Sequence, residues 1–139
     1  MSADLEEELE LSLDFTKLGA VAATGQQVVP VILQHADSGE VLFLGYANEL
    51  ALRTTLEERT AVLWSTSRNE LWRKGQTSGD VLNLVDVRVN CEQNSLLYRV
   101  RPARRGVCHT LDSHGATRRS CYYRGLIAAG ELEFVEGLA

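Results

Sequence analysis

Runs of β-branched and apolar residues recur along the chain between short polar turns. Residues 28–33 and 41–46 are two such runs, joined by His35-Ala-Asp-Ser-Gly39, which has the composition of a hairpin loop. The pattern predicts strand, turn, strand. Asn48 stands where an N-cap belongs, and Leu50, Leu52 and Leu56 with Ala51 make a helical stripe running to about Arg59. This is the main internal helix. Residues 61–65 read as another strand entering a polar stretch. Further on, Val81, Val85, Val87, Val89 and Cys91 share one face under a period of two, with Asn83 the polar intruder, so Cys91 ends a strand. After the turn at 92–95, the alternating run 96–101 completes a second predicted hairpin, closed by Pro102. Residues 103–121 are loop-like, and 121–124 begin a last short strand or helix. An acidic segment, 4–13, has helical composition and is expected to pack loosely within an N-terminal extension over 1–20. Strand runs with one inserted helix offer too few crossovers for parallel βαβ units. They predict an α+β, β-rich fold of antiparallel meander or hairpin sheets, sandwich or barrel-like.

Composition narrows the class. With 139 residues and 45% hydrophobic content, the chain fits one domain over 1–139 that buries its own core. No apolar run approaches the roughly 20 residues of a membrane span, and the N-terminus is acidic where a targeting signal would be basic. A cytoplasmic protein with no membrane partner is expected. Charge is uneven: up to Thr60 eleven acids face three bases, and beyond it eleven bases face eight acids. Seven arginines between Arg99 and Arg124 are opposed only by Asp112. Such a local positive field on an acidic protein suits a small anionic ligand, and the lack of interleaved aromatics argues against nucleic acid.

Cys91, Cys108 and Cys121 are too far apart for the close pairs of a structural zinc ribbon, and an odd count argues against a disulfide framework. From the residues alone, zinc ligands and inert thiols both remain open. Three thiolates on one zinc would leave a coordination position free, as catalytic zinc requires. His109, next to Cys108, could shuttle a proton or serve as a fourth ligand. His35 and His114 read as surface residues. No Ser-His-Asp order, Walker loop or G-x-G-x-x-G is present. Between Trp64 and Gly79, hydroxyls, Arg68, Lys74 and glycines could hold phosphate, and a tryptophan could stack on a base.

The order W-S-x-S-R-x-x-L-W-x-K-G-x-T-S-G at 64–79, a cysteine at 91, C-H-T at 108–110 and R-R-S-C at 118–121 resembles the phosphoribosyl-AMP cyclohydrolases of histidine biosynthesis. The opening VPVILQHADSGEVLFLGYAN is similar too, with Asn48 matching the asparagine before the family's helix. The resemblance implies a zinc-dependent opening of the adenine ring at N1–C6, with His109 as catalytic residue. It implies an intertwined homodimer with shared zinc sites, Cys91 from one subunit joining Cys108 and Cys121 of the other. Substrate, a small phosphorylated nucleotide, would be bound by Asn48, Ser65, Ser67, Arg68, Trp72, Lys74, Gln76, Thr77, Ser78, Arg118 and Arg119. Three departures stand out. The family's magnesium motif D-C-D-x-D reads Asn90-Cys91-Glu92-Gln93-Asn94, so Asn90, Glu92 and Asn94 retain one carboxylate and a Mg²⁺ cofactor is put in question. Gln76 replaces a glutamate. Residues 111–117 lengthen the link between C-H-T and S-C. These changes keep two alternatives open: a diverged zinc hydrolase acting on another purine-like nucleotide, and a non-enzymatic zinc or nucleotide-binding dimer.

Overall fold

The computed structural model describes residues 2–139. Two short helices, α1 (Ser2–Glu7) and α2 (Lys17–Ala23), precede strands β1 (Val29–His35) and β2 (Val41–Ala47), then helix α3 (Glu49–Glu58). A small hairpin of β3 (Val62–Ser65) and β4 (Glu70–Arg73) leads to β5 (Leu82–Val89) and β6 (Leu96–Pro102), and a last hairpin pairs β7 (Arg124–Ala128) with β8 (Glu131–Phe134).

Both predicted hairpins form, and they join edge to edge as one four-stranded sheet in the order β2-β1-β6-β5. The join is parallel, with Val31 opposite Leu96 and Leu33 opposite Tyr98, so the sheet is mixed rather than antiparallel throughout. A parallel neighbour needs a long crossover, and the chain from 48 to 95 supplies it with α3, the β3–β4 ribbon and β5. The described residues make no closed barrel. Four strands are too few to close on themselves, and β2 and β5 stay as edges beside two separate ribbons.

One face of the sheet carries Val31, Leu33, Phe43, Tyr98 and Val100 into the core, where Ala51 and Leu63 meet them. The helix packs differently from its leucine pattern. Leu50 and Leu56 are 41% and 48% exposed, and the buried positions are Ala51, Thr54 and Thr55. Small residues face inward because the helix lies close against β3: the Thr55 hydroxyl sits 2.8 Å from the Val62 carbonyl and accepts from the Val62 amide at 3.0 Å. Asn48 caps the helix as expected, its side-chain oxygen accepting from the Ala51 amide at 2.9 Å, and Arg59 ends it at a left-handed φ of 60°.

The single alternating face expected from Val81 to Cys91 breaks at a bulge between Leu84 and Asp86. Leu82 and Leu84 face the core before it and Val87 packs on the core after it, because one extra residue reverses the alternation. At the N-terminus the helix stops at Glu7 instead of continuing to 13, and α2 is an element the pattern did not predict.

Replacing Thr55 by valine keeps shape but strips the buried Val62 amide and carbonyl of their partner. A loss of about 1–3 kcal/mol is expected by urea denaturation, against a change near zero for the exposed Leu56→Gln.

Candidate active site

Two loops build a cavity of about 340 Å³ beside β2. The first follows β4. It folds back on itself at Gly75, where φ is +81° and a Cβ would lie 2.2 Å from the Asp80 carbonyl carbon, so only glycine fits. This turn brings Trp72, Lys74, Gln76, Thr77 and Ser78 to the cavity wall. Lys74 Nζ lies 3.4 Å from the Asp80 carbonyl oxygen, and burial pushes its ammonium pKa down against the pull of Asp80 and the two cysteines across the cavity. Trp72, 43% exposed and 6.1 Å from the Phe43 ring, offers a flat apolar surface there.

The second loop, 106–121, supplies Cys108, His109 and Cys121 to the same cavity. Its two arms are stitched at Arg118, whose carbonyl accepts from the Val107 and Cys108 amides at 2.8 and 2.7 Å and whose amide donates to Thr110 at 3.0 Å. Cys121 is tied to the edge of the sheet: its amide donates to the Leu42 carbonyl at 2.7 Å, and the Ser120 hydroxyl donates to Val41 at 2.9 Å. The longer stretch 111–117 folds as a turn of its own. Asp112 caps it, its carboxylate accepting from the His114 and Ala116 amides, and the two cysteines on either side of it line the same cavity.

The Cys108 sulfur lies 3.1 Å from the Thr110 hydroxyl, and the neighbouring Cys121 thiol together with that hydroxyl draws the Cys108 pKa well below the ordinary thiol value. Cys121 is pushed the other way, by Cys108 beside it and by burial. Two cysteine sulfurs facing one cavity, with a desolvated ammonium nearby, form a soft donor set for a thiophilic metal.

Other predicted residues lie elsewhere. Ser65, Ser67 and Arg68 form the β3–β4 turn, with the Arg68 amide donating to Ser65 at 3.2 Å. Asn48 lines a separate depression with Val89 and Gln93. Arg118 has a buried side chain bound to Glu7 and to the Leu138 carbonyl. Arg119 pairs with Glu40 at 2.9 Å and borders an adjoining cavity of about 390 Å³ shared with Ser78, Arg104 and Arg105. Arg104 and Arg105 were not singled out from the sequence, although the arginine cluster there was visible. Nor was Glu6, whose carboxylate meets His109; nothing local in the sequence links residues so far apart.

Cys91 is exposed after β5, while Cys121 is anchored at β2, the opposite edge of the sheet. Three inter-strand spacings, about 14 Å, separate those edges. Among the described residues no cluster of three metal-ligating side chains forms within the chain. Around Cys91, Asn90 Nδ2 donates to Asn94 Oδ1 at 2.7 Å, Asn94 Nδ2 donates to Glu92 at 3.2 Å, and Asn90 Oδ1 accepts from the Asn94 and Ser95 amides.

The family model of phosphoribosyl-AMP cyclohydrolase matches residues 43–123, a span that includes both loops. The chain belongs to the phosphoribosyl-AMP cyclohydrolase family. A phosphoribosyl-AMP cyclohydrolase of Caulobacter vibrioides is 42% identical over 124 residues, covering 88% of this chain and 79% of the relative. One from Chlorobium chlorochromatii is 38% identical over 129 residues, covering 91% and 89%. The histidine biosynthesis bifunctional protein HisIE of Thermus thermophilus is 41% identical over 121 residues, and the chain spans about half of that protein's length.

Within this cyclohydrolase-family chain the donor sets fit two metals unequally. Cys108 and Cys121 suit zinc. The amides of Asn90 and Asn94 satisfy one another and leave Glu92 as the one carboxylate in that loop, which does not suit magnesium.

In metal-free protein carrying Cys91→Ser, alkylation by iodoacetamide should follow an ionisation below the usual thiol value of about 8.5. Thr110→Val should move it upward, since a hydrogen bond favouring the anion is lost. One inflection at the ordinary value in both proteins would contradict a lowered Cys108 pKa.

Proposed function

We propose that the chain catalyses the hydrolytic opening of the adenine ring of phosphoribosyl-AMP at N1–C6, a step of histidine biosynthesis, in a cytoplasmic setting that keeps its thiols reduced. The observation that carries this reading is the convergence of Cys108, His109 and Cys121 with Trp72, Lys74 and Gln76–Ser78 on one cavity in a chain of this family. In an adenine ribosylated on N1, C6 is an electron-poor amidine carbon that water can attack. Zinc, when bound by Cys108 and Cys121 with Cys91, supplies a Lewis acid that brings the pKa of a water near neutrality. His109 receives the proton of the attacking water and returns one to N1 as the N1–C6 bond breaks. Trp72 stacks on the base, and its exposed face excludes water from one side. Lys74 and the hydroxyls of Thr77 and Ser78 orient the nucleotide, and Arg104 and Arg105, in the cavity that adjoins at Ser78, take a phosphate.

With Cys91 taken as a ligand of the same zinc as Cys108 and Cys121, its separation from them supports a homodimer as the active unit, with Cys91 of one chain completing the site of the other. A second observation supports this. On the outer face of the sheet Leu44, Ile32 and Leu97 stand in one row across β2, β1 and β6, with Leu44 and Ile32 46% and 38% exposed, an apolar strip that a second copy would cover.

The test is turnover of phosphoribosyl-AMP by zinc-loaded protein, followed by absorbance, with metal content measured alongside. The expected result is turnover with one zinc per chain, and loss of zinc in Cys91→Ser as well as in Cys108→Ser and Cys121→Ser. Binding of the nucleotide with no reaction would overturn the hydrolytic reading in favour of a binding dimer. Turnover of another N1-substituted purine nucleotide alone would assign a different substrate.

Magnesium sets a separate expectation. Because Asn90 and Asn94 hydrogen-bond each other where carboxylates would need a cation between them, turnover should change less than about twofold on adding millimolar Mg²⁺. The double variant Asn90→Asp, Asn94→Asp should become magnesium-dependent, the added charge calling for a counter-ion. Complete loss of wild-type turnover in magnesium-free, zinc-replete buffer would contradict this assignment.

A further inference from the structure

The acidic N-terminal segment is fastened across the loop that carries the cysteines. Glu7 receives Arg118 through both terminal nitrogens, at 2.8 and 3.3 Å, and that guanidinium is 3% exposed and lies 4.0 Å over the Tyr123 ring. The Tyr123 hydroxyl donates to the Glu6 carbonyl at 2.8 Å, and Arg124 donates to the Glu8 carbonyl at 2.7 Å. Past the helix, the Leu11 amide donates to Gly130 and the Leu132 amide to Leu9, each at 2.9 Å, which extends the pairing onto the β7–β8 hairpin. The backbone of Glu6 is therefore held from both sides, by residues that flank Cys121. Its carboxylate, 23% exposed, is hydrogen-bonded to Nε2 of His109, whose ring is 81% exposed and makes no other hydrogen bond among the described residues.

We propose that Glu6 is the positioning residue of His109: it holds the ring at the mouth of the cavity in one orientation and one tautomer. This rests on the cyclohydrolase reading for the role of the histidine, and adds a residue from a part of the chain outside the span that matches the family model. A carboxylate on Nε2 accepts the ring N–H, so the neutral imidazole carries its lone pair on Nδ1, the nitrogen that then takes a proton. Without that contact an exposed histidine samples several rotamers and both tautomers, and the fraction poised to act falls. Docking of the segment does not need the Glu6 side chain. Glu7 carries the ion pair, and Tyr123 binds the Glu6 backbone, so the Glu6 carboxylate can be removed while its anchors remain.

The experiment compares Glu6→Ala, Glu6→Asp and Glu7→Ala in the zinc-loaded full chain, with kcat and KM for phosphoribosyl-AMP, zinc content, melting temperature and the ¹⁵N signals of the His109 ring. Glu6→Ala is expected to lower kcat by about tenfold to a hundredfold with KM within about twofold and zinc retained. Glu6→Asp should restore part of kcat. In the wild type the two ring nitrogens should give well-separated signals with Nε2 protonated, and in Glu6→Ala they should move toward the average of mixed tautomers. Unchanged kcat and ring signals in Glu6→Ala would overturn the proposal. So would a fall in kcat matched by the same loss of zinc and melting temperature as in Glu7→Ala, since that would reduce Glu6 to an anchor. If the wild type does not turn over phosphoribosyl-AMP, the functional reading fails, and the ring signals still decide whether Glu6 sets the state of His109.

Discussion

Arg118 is a buried cation at the centre of the loop that holds both cavity cysteines, and the local architecture follows from satisfying it. Its backbone stitches the Cys108 arm to the Cys121 arm, and its side chain takes Glu7, the Leu138 carbonyl and the face of Tyr123. An uncompensated buried charge costs several kcal/mol, so the guanidinium recruits a carboxylate from the far end of the chain. Recruiting Glu7 brings Glu6 to His109. A charge that helps fold the loop thereby also delivers the side chain that orients the histidine.

Departures from the family pattern are absorbed locally by hydrogen bonds. Carboxylates at 90 and 94 would repel each other without a cation, whereas the amides of Asn90 and Asn94 act as donor and acceptor and close the loop on themselves. The stretch 111–117 likewise closes its own turn, Asp112 accepting from two of its amides, and it is tied to the C-terminus where the Ser113 amide donates to the Ala139 carbonyl at 3.1 Å. Each stretch thus closes a compact turn within a few residues of the cysteine beside it.

Features fixed by neighbouring residues were legible in the sequence. The hairpin turns and the Asn48 cap depend on contacts within a few positions, whereas the strand expected to end at Cys91 stops at Val89 and leaves Cys91 in the turn. The inward face of α3 was not legible, because a leucine stripe marks apolar positions without revealing that close approach to β3 admits only Ala51, Thr54 and Thr55. The bulge between Leu84 and Asp86 was hidden for a similar reason: strict alternation cannot show where one residue is skipped. At the site, Trp72, Lys74, Gln76, Thr77, Ser78, Cys108, His109 and Cys121 converge on one cavity. Arg118 looked like part of an open cationic field, since a list of charges cannot show a partner more than a hundred residues away.

Under the proposed function, the placement of Cys91 decides how the site can be assembled. It follows β5 at one edge of the sheet, the paired thiols sit by β2 at the other, and a metal–sulfur bond of about 2.3 Å cannot bridge that width. Bringing the three sulfurs together within one chain would require dissolving the sheet that positions two of them. A second copy avoids that cost, because the exposed turn after β5 can present its cysteine to a neighbour without altering either core. Under the proposed function, metal binding and dimer formation are then one equilibrium: each chain's core fixes half a site, and the sheet's rigidity prevents either half from completing itself.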